Sequence, residues 1–240
     1  MSGGVGSVAG DMRLPDDNEP HASSPANPLE SASRKFHILS FRQLNVLAIM
    51  IVLGASGMVS PYDLAFFFFS IVYTIVIARI AFPSSVPPVR VFRKGNKLLG
   101  AYMAVAALVG LILPIIYIVE GVVDGDQEGM KAAVPHLFLL CAQVLMEGWS
   151  YSSQFSTPTQ AFVPIFYNTK RVFSIVDWVH AELSKESGDV GSVLRLSIGR
   201  GLAFANLALW CFNLFCFLLP VYLPRTMKVY FLGNKEKKGA

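Results

Sequence analysis

The chain has 240 residues, 53% of them apolar and only 15% charged, where soluble domains carry about 25% charged residues. The net charge of +4 and the pI near 9.0 come from Lys and Arg residues that flank long apolar runs, so no soluble basic domain exists to bind nucleic acid. An ordinary soluble globule is excluded, and the class indicated is all-α: a polytopic transmembrane helical bundle with about five apolar segments plus one amphipathic helix.

Residues 1–40 are polar and rich in Gly, Ser, Pro and Asp, and they read as a disordered tail. No secretory signal is expected there. Five acidic residues before Arg34 also argue against a transit peptide, and Ser2 breaks the myristoylation pattern.

The helical domain is expected over residues 41–224. Its first apolar segment, 44–59, contains Gly54-x-x-Gly57, one residue short of the helix-packing motif, which suggests close packing. The second, 64–82, follows a tight "SPYD" connection and carries Arg79 near its end. The third, 98–119, is uncharged, with Pro114 as the expected kink. The fourth, 132–151, contains His136, Gln143 and Glu147, and the fifth, 201–223, is again uncharged. About 20 apolar residues cross a bilayer, so the third and fifth are long enough outright. Cys141, Cys211 and Cys216 all fall inside these runs and read as small hydrophobes without disulfides, and none has a histidine at zinc-ligand spacing.

Between the fourth and fifth segments, residues 159–184 have helical amphipathic spacing. Phe162, Ile165, Phe166, Val172, Phe173, Val176, Val179 and Leu183 share one face, and Lys170, Arg171, Ser174 and Asp177 lie across from it. Either of the basic residues at mid-bilayer would cost about 2.5–3.5 kcal/mol. The helix therefore lies in the membrane interface, with Lys170 and Arg171 as a membrane-surface basic pair, or packs on the other spans.

The stretches "SPYDLAFFFFSIVYTIVIARIAFP" and "EGWSYSSQFSTPTQAFVPIFYNTKRVFSIVDWV" resemble a plant family of multi-span membrane proteins of unknown function, over roughly residues 36 to 232. The resemblance implies a plant origin, and it implies no activity, cofactor or site.

Basic residues are unevenly spread. The head holds four, the stretch from Arg79 to Lys97 five, and the long connection from Lys170 to Arg200 five, whereas "EGVVDGDQEGMK" sets Lys131 alone against four acids. The positive-inside rule then puts the amino terminus and the second and fourth connections in the cytosol. The basic tail, residues 225–240, ends with Lys237 and Lys238 at the positions of a dilysine retrieval signal, which cytosolic coat proteins read on endoplasmic-reticulum membrane proteins. A cytosolic tail would leave nineteen of the twenty basic residues on one side, but five simple crossings from a cytosolic head put the tail on the other, so either one apolar segment fails to cross or the amphipathic stretch crosses as well.

Gln143 and Glu147 share a face of the fourth segment, and Asn206 and Asn213 share a face of the fifth. Two such faces can meet as interhelical polar glue, or form a solute or proton relay centred on Glu147. No nucleophile–base set, phosphate-cradling loop or metal-ligand cluster is present in the sequence, and no cofactor is indicated. The leading expectation is a non-enzymatic endoplasmic-reticulum membrane protein working through coat-protein and membrane-protein partners. Transport through Glu147, Asn206 and Asn213 is the alternative, and a lipid-acting membrane enzyme the second.

Overall fold

The computed structural model describes residues 41–83, 97–152, 155–186 and 190–239. The tail expected over 1–40 lies outside them. Among the described residues eight α-helices appear, joined in places by π-helical stretches: α1 Phe41–Ala55, α2 Pro61–Val76, α3 Lys97–Ala107, α4 Leu113–Asp124, α5 Gln127–Ser152, α6 Thr157–Ser184, α7 Val190–Phe212 and α8 Leu223–Gly239. The π stretch Ile77–Ala81 prolongs α2, Leu108–Ile112 joins α3 to α4, and Asn213–Tyr222 joins α7 to α8. Six antiparallel legs result, and no strand occurs among the described residues. Four of the legs are long and apolar enough to cross a membrane: Pro61–Ala81, Lys97–Asp124, Gln127–Tyr151 and Val193–Lys235.

Local chemistry sets several of the ends. Ser60, extended at φ −63° and ψ 142°, accepts the Tyr62 amide at 3.1 Å, and Pro61 supplies the fixed φ of a first helical position. Gly57, at φ 73°, turns the chain out of α1. The close packing suggested for Gly54-x-x-Gly57 is therefore not found. Gly57 makes a left-handed turn that a side chain would strain, and a methyl group on Gly54 would touch only Leu64 at an ordinary 3.7 Å.

Cross-leg contacts fix the directions. Gln43 lies against Gly148, Asp63 pairs with Lys170, and Phe82 packs on Phe162. Gly110 bonds to His136, Asn206 to Val109, and Arg200 to Glu182. One end of the bundle thus carries the α1–α2 turn, the acidic α4–α5 turn and the α6–α7 connection. The start of α1, the Pro83 end of the second leg and α8 gather at the other, where Tyr230 donates to the Pro83 carbonyl at 3.1 Å.

This arrangement corrects the charge-based grouping. Lys185 and Arg195 do not lie with the other basic stretches. They lie on the acidic turn, where each pairs with Asp126. The connection looked cytosolic by its lysines and arginines alone, but those charges are neutralised locally. The amphipathic stretch supplies the sixth leg, so an even number of legs returns α8 to the end where α1 begins.

The bundle buries polar and charged groups within an otherwise apolar core, and it carries large apolar side chains on its outside. Arg171, Glu182, His136, Asn168 and Asn206 are wholly buried, while Phe68, Val72, Leu194, Phe204 and Phe215 are exposed. In α6 the polarity runs opposite to a soluble amphipathic helix. Gln160, Asn168, Arg171, Ser174 and Glu182 point inward, and Phe173 and Leu183 of the apolar face stand 63% and 50% exposed. Such a distribution suits a hydrocarbon solvent, in which apolar surface need not be hidden and polar groups must find partners.

Candidate functional site

Arg171 sits at the centre of the bundle. Its Nη2 donates to Gln143 Oε1, its guanidinium lies 4.2 Å from the Trp210 ring centroid, and Gln143 Nε2 donates to Glu147 Oε1 at 2.7 Å. Gln143 therefore relays between a cation and a carboxylate. Arg171 Nε and Nη1 are buried without hydrogen-bond acceptors among the described residues, and the Trp210 face and, at 3.5 Å from Nη2, the Leu139 carbonyl also lie against this charge. The membrane-surface basic pair is corrected by the same contacts. Lys170 reaches Asp63 at 2.7 Å from a partly exposed position, and Arg171 one residue on turns to the interior because its partners are there.

Prolines explain a second group of contacts. Pro114 has no amide to give the carbonyl four residues back, that of Gly110. His136 Nε2 lies 2.8 Å from that oxygen and, as a donor, completes it. Asn206 Nδ2 donates to Val109 O at 3.0 Å in the same π stretch and to Leu202 O at 3.0 Å. Asn206 Oδ1 accepts from Trp210 Nε1 at 3.3 Å, and Asn213 Oδ1 accepts from Tyr102 at 2.9 Å. Asn168 Nδ2 reaches Trp210 O at 3.1 Å, just ahead of the long π stretch. These polar groups complete backbone that an irregular helix leaves open.

The densest network lies at the end carrying the acidic turn. Glu182 Oε1 accepts from Tyr117 at 2.6 Å, Lys185 at 3.0 Å and Trp178 Nε1 at 3.3 Å. Lys185 also meets Asp126 Oδ2 at 3.1 Å, and Arg195 grips Asp126 and Asp124 at 3.1 and 3.2 Å while lying over the Tyr117 ring. Gly199 makes room for this: an added Cβ would stand 2.6 Å from Glu182 Oε2 and 2.9 Å from the Tyr117 hydroxyl. Burial pushes the Asp126 carboxyl upward, but the Gly129 amide, Lys185 and Arg195 outweigh it and hold its pKa below the ordinary value. Beside the network opens a cleft of about 710 Å³ whose walls include Asp63, Glu128, Lys131, Lys170, Asp177 and Lys185. Pro135, also in its wall, leaves the Lys131 carbonyl without its helical amide.

Sequence reasoning placed Gln143 with Glu147 correctly as neighbours on one face, but the face opposite is not the asparagine pair. Asn206 and Asn213 serve α3, the π stretch that follows it and their own leg, and Arg171 takes the place expected for them. Glu182, Tyr117, Asp126 and Arg195 were missed, since nothing in the local sequence relates residues 65 and 69 positions apart. The Gly110–His136 bond had a signal, because Pro114 requires a donor for Gly110. Lys237 and Lys238 fall in the last turns of α8, and their side chains lie outside the described residues. Among the described residues no three His, Cys, Asp or Glu side chains gather as metal ligands.

Residues 39–231 match the family described as Domain of unknown function (DUF7733), and the chain belongs to that family. Neither the curated proteins nor the solved structures contain a match to this chain.

Proposed function

For this member of a family of unknown function, we propose a non-enzymatic, multi-pass membrane protein of the endoplasmic reticulum that acts by holding membrane-protein partners. The observation that carries the reading is the inverted polarity of the bundle: its buried charges are committed to neighbouring helices, and its exposed surface is apolar. Six crossings with both ends cytosolic agree with the basic residues Lys97, Arg225, Lys228 and Lys235 lying at one end. Lys237 and Lys238 then offer the dilysine address to coat proteins, in keeping with a plant endomembrane protein.

Single cysteines in a cysteine-free background test the arrangement. In sealed microsomes Lys97→Cys and Lys235→Cys label with an impermeant thiol reagent, and Asp124→Cys and Glu186→Cys label only after the membrane is opened. Labelling of Glu186→Cys together with Lys97→Cys overturns the six-crossing reading. Replacing Lys237 and Lys238 by serine releases the protein to later compartments, and an unchanged distribution overturns the address. A transport reading has one observation in its favour, the polar cleft whose wall carries Lys170 and Ser174 beside Arg171. Solute flux in proteoliposomes that Glu147→Gln abolishes would establish it in place of the partner-holding role.

A further inference from the structure

We infer that the groove between α3 and the π stretch Asn213–Tyr222 is a binding site for an anionic phospholipid of the surrounding bilayer, with an acyl chain in the groove and the phosphate at Arg225. The inference rests on the membrane reading above. The groove has a volume of about 350 Å³; Leu98, Leu99 and Tyr102 form one wall, and Phe212, Cys216, Phe217 and Val221 form the other. Arg225 is the single charged residue among the described residues of its lining. Tyr102 is polar only at its hydroxyl, which donates to Asn213, so the remaining lining suits hydrocarbon.

The π stretch explains why an arginine stands in line with this apolar wall. Its i→i+5 bonding takes about 4.4 residues per turn, against 3.6 in an α-helix. At that spacing Phe212, then Cys216 with Phe217, then Val221, then Arg225 recur along one stripe. An α-helix would carry the stripe from Phe212 through Leu219 and Leu223 to Thr226, and Thr226 is in fact wholly buried. Ten residues of π-helix thus bring the guanidinium to the end of a groove that is otherwise apolar. Arg225 itself is exposed, and so are Lys228 one turn beyond it and Lys97 at the start of the opposite wall. Their charges favour an anionic headgroup over a zwitterionic one, and a guanidinium holds a phosphate by paired hydrogen bonds. The groove opens on the outer apolar side of the bundle, where its own Phe212 is 53% exposed, so its occupant reaches it from the bilayer.

The test uses the full chain in nanodiscs of phosphatidylcholine with a minor fraction of phosphatidylserine, followed by native mass spectrometry of the lipid retained on release. The wild type retains phosphatidylserine enriched about fivefold over its bulk share, the scale of one basic contact at a membrane surface. Arg225→Gln loses the enrichment, Arg225→Lys keeps most of it, and Lys228→Gln lowers it less than Arg225→Gln does. Val221→Trp, which fills the groove, lowers retention of both lipids. Equal enrichment in the wild type and Arg225→Gln overturns the site, as does loss in Lys228→Gln equal to that in Arg225→Gln, which marks diffuse attraction. A change of oligomeric state in Val221→Trp with lipid retention intact overturns it in favour of a second copy of the chain. Flotation with liposomes after alkaline washing separates the two proposals: a protein that floats but shows no enrichment refutes the groove alone, and one that washes off refutes the membrane reading.

Discussion

Glu182 is the side chain whose removal should cost the fold most. It is wholly buried, and one of its oxygens serves Tyr117, Trp178 and Lys185 together. Glu182→Leu leaves the Tyr117 hydroxyl and the Trp178 indole without this acceptor, and it leaves Lys185 with Asp126 and the Tyr117 hydroxyl. Breaking a buried charged network by removing one partner costs about 3–5 kcal/mol. In a chain of this size that lowers the midpoint of thermal unfolding by about 10 °C, taking 2–4 °C per kcal/mol. Glu182→Gln keeps a carbonyl oxygen for Tyr117 and Trp178, and it should fall between the wild type and Glu182→Leu. The assay is thermal unfolding in detergent, read by a thiol-reactive dye at half-buried Cys141 in a background with Cys211 and Cys216 replaced by serine. Gly199→Ala, which drives a methyl group onto the other oxygen of Glu182, should act in the same direction. A Glu182→Leu protein that melts within about 2 °C of the wild type would refute the claim that this network holds α4, α6 and α7 together.

Asp126 gives a pH dependence of known sign. Its folded-state pKa is depressed, so its stabilising contribution is full above the ordinary aspartate range and is lost as the pH falls through the folded value. Acid titration of the melting temperature should show Asp126→Asn less stable than the wild type at pH 7 and the two converging in acid; parallel curves would sink the assignment. Glu147→Gln should insert and accumulate like the wild type, because Gln143 still finds a carbonyl oxygen. Glu147→Leu should lower stability by about 1–3 kcal/mol, the cost of an orphaned donor, read as a fall in melting temperature. Equal behaviour of the two Glu147 variants would refute the bond as a structural contact.

Much of the helical framework was legible because hydrocarbon solvent imposes long apolar runs, and the runs around Phe66, Leu108 and Phe212 are unmistakable. The facing of α6 was not. Periodicity separates Phe162, Phe166 and Phe173 from Lys170, Arg171 and Ser174, but it cannot say which face is inside when the solvent is apolar. That ambiguity also hid the sixth leg, and with it the grouping of the connections. Lys185 and Arg195 read as free positive charge until Asp124 and Asp126 are brought beside them by folding. The π stretches left no pattern that periodicity could separate from α-helix, although Pro114 marked one of them through the carbonyl it deprives.

The inward-facing charge of α6 constrains how the protein is made. Arg171 on an isolated helix would oppose partition into lipid by about 2.5–3.5 kcal/mol, and buried Glu182 adds to that resistance. Gln143, which accepts from Arg171, is synthesised before α6, but Trp210 and Arg200 are synthesised after it. Under the six-crossing proposal, the sixth helix in the sequence does not settle in the bilayer alone but enters together with α7, as one unit against α5. A nascent chain stopped before Trp210 should remain extractable over the α6 stretch, and one stopped after α7 should not.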